Sequence, residues 1–177
     1  MKTSLEKADI VLRVLTYLAV VAGGIWAIYQ YELTGSTDWT INITLESKIL
    51  PYHDNLRLLV LHVKSKNPRN YEFGLDSKLR DSFELRFRKV ATDAKADAVI
   101  DEDKGDLIAK VNLMQNTGGE YIFLPGAEMD DMRTIVLPVN TTVAVTAEMQ
   151  IHNGTMDEHD KPDVDFISAS TVVRVEP

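Results

Sequence analysis

The chain has 177 residues, 19 Lys+Arg against 27 Asp+Glu, a formal net charge of −8 and no Cys. Its length suits one ordinary domain with an appendage, and 45% hydrophobic residues supply a core and argue against wholesale disorder. The acidic balance argues against a nucleic-acid binder, and the missing Cys excludes disulfides, thiolate metal ligation and a Cys nucleophile.

From Val14 to Tyr31 (VLTYLAVVAGGIWAIYQY) no residue is charged, and Arg13 and Glu32 bound the run. A bilayer core of ~30 Å takes about 20 apolar helical residues, so these 18 plus Ile10–Leu12 read as a membrane span. Arg13 sits where it can snorkel to the headgroups, and Trp26, Tyr29 and Tyr31 form an interfacial aromatic cluster at the other end. Thr3 and Glu6 have capping-box spacing, with Ser4 a second cap, so the helix is expected to begin before the span. Ala19, Gly23 and Ala27 recur every four residues as a small-residue ridge that permits close helix packing in lipid.

Lys2, Lys7 and Arg13 precede the span, and no Lys or Arg follows it until Lys48. The positive-inside rule then places the N-terminus in the cytoplasm and the rest of the chain outside it. A signal peptide cleaved near Ala22 is the rival reading, but Arg13 interrupts its apolar run and Gly23–Tyr31 would survive as an apolar N-terminus. The expected organisation is an anchor helix over 1–33, a short tether over 34–38 and an extracytoplasmic domain over 39–177. A tether that short keeps the domain near the membrane surface.

Beyond the tether the apolar period changes to two. Trp39, Ile41, Ile43 and Leu45 alternate with polar residues, and 51–55 is a turn. LRLLVLHV (56–63) reads as a central strand packed on both faces, and 66–70 as a turn. Tyr71, Phe73 and Leu75 alternate, as do Phe83, Leu85 and Phe87. Residues 91–106 read as a polar loop, 107–114 as a strand, 116–119 as a hairpin-like turn, and 121–124 as a strand ended by Pro125-Gly126. Residues 134–139 read as a short edge strand because of Pro138. A long strand over 143–151, an acidic loop over 153–165 and a last strand over 166–175 complete the chain.

Roughly eight or nine strands separated by turns, with no convincing helix among them, predict a mainly β fold. The expected architecture is an antiparallel β-sandwich of immunoglobulin-like or fibronectin-like type, without the Cys…Trp…Cys hallmark; an α+β fold is the alternative. The run LRLLVLHVKSKNPRNYEF resembles the strand–Asn-Pro–strand opening of plant-type water-stress and late-embryogenesis β-sandwiches. It covers only 56–73, and Asn-Pro after a strand is a common turn, so it is not taken as family membership.

The chain carries no G-x-S-x-G, P-loop, G-x-G-x-x-G or H-E-x-x-H motif, and its four His are scattered, so no enzyme and no cofactor are expected. His62, inside an apolar strand, reads as a satisfied histidine of the core or of a face. The metal candidates are acidic: Asp101, Asp103 and Asp106 in DEDKGD, and Asp157 and Asp160, with Asp163 and Asp165, in DEHDKPDVD. Hard oxygen ligands of this kind suit Ca²⁺, but neither run has EF-hand spacing, and solvated acidic loops are the plainer reading.

Residues 57–95 carry ten Lys/Arg and five Asp/Glu, whereas 96–177 carry five and 16. Arg86 and Arg88 share one strand face and form a candidate patch for anionic lipid or an acidic partner. Asn42, Asn140 and Asn153 are N-x-[ST] sites, which count as acceptors only in a eukaryotic secretory setting. A Cys-free external domain better suits a bacterial envelope, that is, the inner membrane and periplasm.

The functional expectation is a non-catalytic single-pass membrane protein whose external β-sandwich is a protein-interaction module. It would serve as an accessory subunit of a membrane complex, with another membrane protein or a second copy as partner. The alternative is a membrane-anchored ligand or divalent-cation sensor using the acidic loops.

Overall fold

In the computed structural model the described residues are 4–36, 41–90, 97, 99, 101, 103–156 and 162–177. The chain divides into two compact units, Met1–Trp39 and Thr40–Pro177.

The first unit is one helix, α1 (Ser4–Ser36), which is about 50 Å long at 1.5 Å per residue. Within it Val11–Tyr29 is long and apolar enough to cross a membrane, and none of that span is buried. The helix passes residue 33, so the expected tether begins inside it. No Pro lies between Glu32 and Ser36, and a single Gly35 weakens a helix by only about 1 kcal/mol relative to Ala, which is too little to stop it.

The second unit is mainly β. Its strands are β1 (Asn42–Pro51), β2 (Leu56–Lys66), β3 (Phe73–Asp76), β4 (Ser82–Lys89), β5 (Asp106–Asn112), β6 (Glu120–Phe123), β7 (Glu128–Pro138), β8 (Thr142–Met156) and β9 (Pro162–Arg174). They make three antiparallel sheets ordered β1-β2-β7, β3-β6 and β5-β4-β8-β9.

β2 is central, as its apolar run implies, but only one face is buried. Leu59, Leu61, Val63 and Ser65 point into the core, while Leu58, Val60, His62 and Lys64 are half-buried on the other face. The ladder sets Ile49, Leu59 and Ile135 side by side across the first sheet. In the third sheet Phe83, Leu85 and Phe87 lie opposite Met149, Ala147 and Val145, all of them buried. Phe73 pairs with Phe123 across the two-stranded sheet, with ring centroids 5.7 Å apart. The inward rows of all three sheets join one hydrophobic cluster. Each fully buried Leu or Phe in it contributes roughly 1.5–3 kcal/mol.

Further expectations change. β8 runs on to Met156 and β9 starts at Pro162, so both ends of the acidic loop expected over 153–165 are strand. β7 starts six residues before the expected Thr134, although it is an edge strand as Pro138 implied. Residues 113–117 form a 3-10 turn capped by the Asn112 side chain, not the end of a strand. The Gly118-Gly119 turn is no hairpin, because β5 pairs with β4 and β6 pairs with β3. Gly119 is required there: its φ is +90°, and an added Cβ would lie 2.4 Å from Ser77 Oγ. Most of the expected polar loop over 91–106 lies outside the described residues.

Candidate functional site

The anchor helix carries the first candidate surface. Ala19, Gly23 and Ala27 span ~80° of the helix circumference at 100° per residue. Apart from its own helix backbone, an added Cβ on Gly23 would meet no atom of the described residues within 4 Å, so the ridge is open. Beside it Ala22, Ile25, Trp26 and Tyr29 line a shallow apolar cleft, and Trp26 and Tyr29 stack with centroids 6.0 Å apart. Trp26, Tyr29 and Arg13 are exposed, whereas the Tyr31 side chain lies outside the described residues.

The second candidate, Arg86 and Arg88, lies on the outer face of β4. Folding places Glu148 of β8 directly opposite Glu84, next to Arg86. Arg86 Nη2 donates to Glu148 Oε2 at 2.6 Å, with side-chain exposures of 19% and 16%. Gln150 also donates to Glu148, and Lys110 of β5 pairs with Glu84 at 2.7 Å. Arg88 Nη1 donates to the Gly105 carbonyl at 3.1 Å. These contacts interleave the charges of the basic and acidic stretches of the sequence, and Arg86 is neutralised within the fold.

The acidic candidates separate. Asp101 holds its own turn by accepting from the Asp103 N–H at 3.1 Å and pairing with Lys104 at 3.2 Å. The Lys104 contact, chiefly as a hydrogen bond, holds the Asp101 carboxyl below its ordinary value. Asp106 opens β5 and is exposed. Among the described residues no three His, Asp or Glu side chains come together as a metal site, and Asp157 and Asp160 lie outside them. At the head of the β8–β9 hairpin Asp163 and Asp165 both accept from Asn153 Nδ2, at 3.2 and 3.0 Å, and Thr155 donates to Asp163.

The described histidines lie beside carboxylates. His62 meets Asp130 at 3.0 Å on the outer face of the first sheet, next to the 2.7 Å Lys64–Glu46 pair, whose hydrogen bond raises the Lys64 amine above its ordinary value. His53 meets Asp54 at 3.2 Å.

Three polar groups escaped sequence reasoning. Asp81 is buried and accepts from the backbone N–H of Asp76 and of His152, joining the β3–β4 turn to β8, with His152 Nδ1 3.6 Å away. Asn67 is fully buried; its amide donates to the Tyr71 and Phe123 carbonyls and its oxygen accepts from the Arg69 N–H. Tyr121, only 2% exposed, donates its hydroxyl to Asp131, which Arg133 flanks at 3.5 Å. Burial, and then the bond to Asp131, push the Tyr121 hydroxyl well above its ordinary pKa. The one advance signal was the Asn-Pro turn at Asn67, because the partners of Asp81 and Tyr121 are distant in sequence.

No protein-family model matches this chain, and no curated protein is similar to it.

Proposed function

We propose that this chain is a non-catalytic single-pass membrane protein whose β domain is an extracytoplasmic protein-interaction module, an accessory subunit of a membrane complex. The observation that carries the reading is the 19-residue apolar helix Val11–Tyr29, unburied along its whole length. A helix apolar all round belongs in lipid or in a core, and this one has no core around it. Lys2 and Lys7 before the span, with Arg13 in its first turn, support a cytoplasmic N-terminus, in a bacterial inner membrane. The single hydrophobic cluster shared by the three sheets supports a sandwich of immunoglobulin-like or fibronectin-like type. The internal use of Arg86, Arg88 and Asp101 favours binding through shape and strand edges over a charged ligand pocket.

Because the chain has no Cys, topology is directly testable with single thiols. Cys at Thr117 should react with an impermeant maleimide from outside intact cells, and Cys at Ser4 only after permeabilisation. The protein should also stay with membranes in alkaline carbonate. Release by carbonate, or the reverse labelling pattern, would refute the reading.

The second reading is a divalent-cation sensor, favoured by the convergence of Asp163 and Asp165 on Asn153. A calcium-dependent rise in melting temperature supports it. No shift at millimolar calcium removes it.

A further inference from the structure

The strands that end the two larger sheets are β1, β7, β5 and β9. Three carry charge along their length: Glu46 and Lys48 in β1, Asp130, Asp131 and Arg133 in β7, and Asp106 and Lys110 in β5. Such charges blunt an edge whose N–H and C=O groups would otherwise recruit another strand. β9 differs. Among the described residues β8 is its only ladder partner; β1 approaches it without forming a ladder. From Phe166 to Val173 it has neither a charge nor a Pro. Its two exposed large apolar side chains, Phe166 at 62% and Val172 at 57%, lie on the outward face, three residues either side of Ala169.

That symmetry makes the strand complementary to itself. We propose that β9 joins two copies of this chain, pairing antiparallel about a two-fold axis at Ala169. The proposal rests on the interaction-module reading and names its partner as a second copy. In this register Phe166 stands opposite Val172 of the partner subunit, and Ser168 opposite Ser170 of the partner subunit. Each pair occurs twice, and outward residues stay outward. Aromatic and β-branched cross-strand pairs are among the favourable ones. The ends match as well. Asp165 faces Val173 of the partner subunit and Arg174 faces Val164 of the partner subunit, so no like charges oppose each other. The acidic start of each strand lies beside the Arg174 end of the other.

Full-length protein in mild detergent, carrying Ala169→Cys as its sole thiol, tests the pairing. The two Cα atoms on the axis would stand ~4.5–5.5 Å apart, within disulfide reach. Mild oxidation should give a covalent dimer. Ser168→Cys, displaced from its own copy by two residues, should crosslink roughly tenfold less for want of geometry. Adding Phe166→Asp to A169C should abolish the crosslink. Should A169C disturb packing, differently tagged S168C and S170C chains keep the test open, since they should crosslink to each other and not to themselves. Equal crosslinking at Thr117→Cys would mean random collision and overturn the pairing, as would an A169C chain that stays monomeric. If native mass then shows a different polypeptide bound, β9 pairing fails while the interaction-module reading stands. A lone chain by both measurements defeats both.

Discussion

The Tyr121–Asp131 hydrogen bond allows a prediction with a worked sign. Tyr121→Phe removes one hydroxyl and little volume. At neutral pH it deletes a hydrogen bond to a charged acceptor, usually worth ~1.5–3 kcal/mol. Asp131 keeps Arg133 at 3.5 Å and is 21% exposed, so water reaches the freed oxygen and the cost should fall near the lower end, about 1–2 kcal/mol. The pH dependence is more diagnostic. Burial and the Asp131 bond raise the hydroxyl's pKa in the folded state, whereas an unfolded tyrosine ionises near ~10. Above ~10 the unfolded chain therefore binds fewer protons than the folded one, and stability falls as pH rises. The contribution is fully present below ~10 and is lost at up to ~1.4 kcal/mol per pH unit above it. Urea unfolding of the full-length protein in detergent, followed by near-UV circular dichroism between pH 8 and 11, measures this. The wild-type and Y121F curves should run parallel below ~10 and converge above it. Curves parallel throughout would refute the assigned network.

Gly23→Leu should leave membrane insertion intact and weaken assembly, because an added Cβ meets nothing among the described residues apart from its own helix backbone. Unchanged assembly, read by native mass, would remove the ridge from the account. Asn67→Ala should destabilise the β domain by roughly 2–4 kcal/mol, since it takes a donor from the buried Phe123 carbonyl and the half-buried Tyr71 carbonyl and frees the turn before β3. Thermal unfolding checks this, and a loss under about 1 kcal/mol would show that the turn holds without its clip.

What could be read in advance followed from local pattern. β4 shows clean alternation because one face is apolar and buried, and β8 shows its apolar row although Ala144 and Thr146 on its other face are buried as well. β2 shows as an apolar run because its second face is half-covered. The first half of β7 was hidden because Asp131 and Arg133 occupy inward positions and break the alternation; Tyr121, the partner of Asp131, sits on β6. The start of β9 was hidden likewise, since Asp163 and Asp165 look like loop residues until Asn153 is placed beside them. The Gly-Gly turn suggested a hairpin because local sequence carries no information on which strand comes back. The pairing of Arg86 within the fold was hidden for a related reason, since Glu148 lies 62 residues away.

The central claim is that this chain works as a membrane-held member of an assembly. Native mass spectrometry of the tagged full-length protein, extracted in gentle detergent, tests it most directly. The account predicts a defined mass greater than one chain of 19.9 kDa, equal to two copies where β9 pairing alone holds it together. A single chain at that mass under every extraction condition would contradict it.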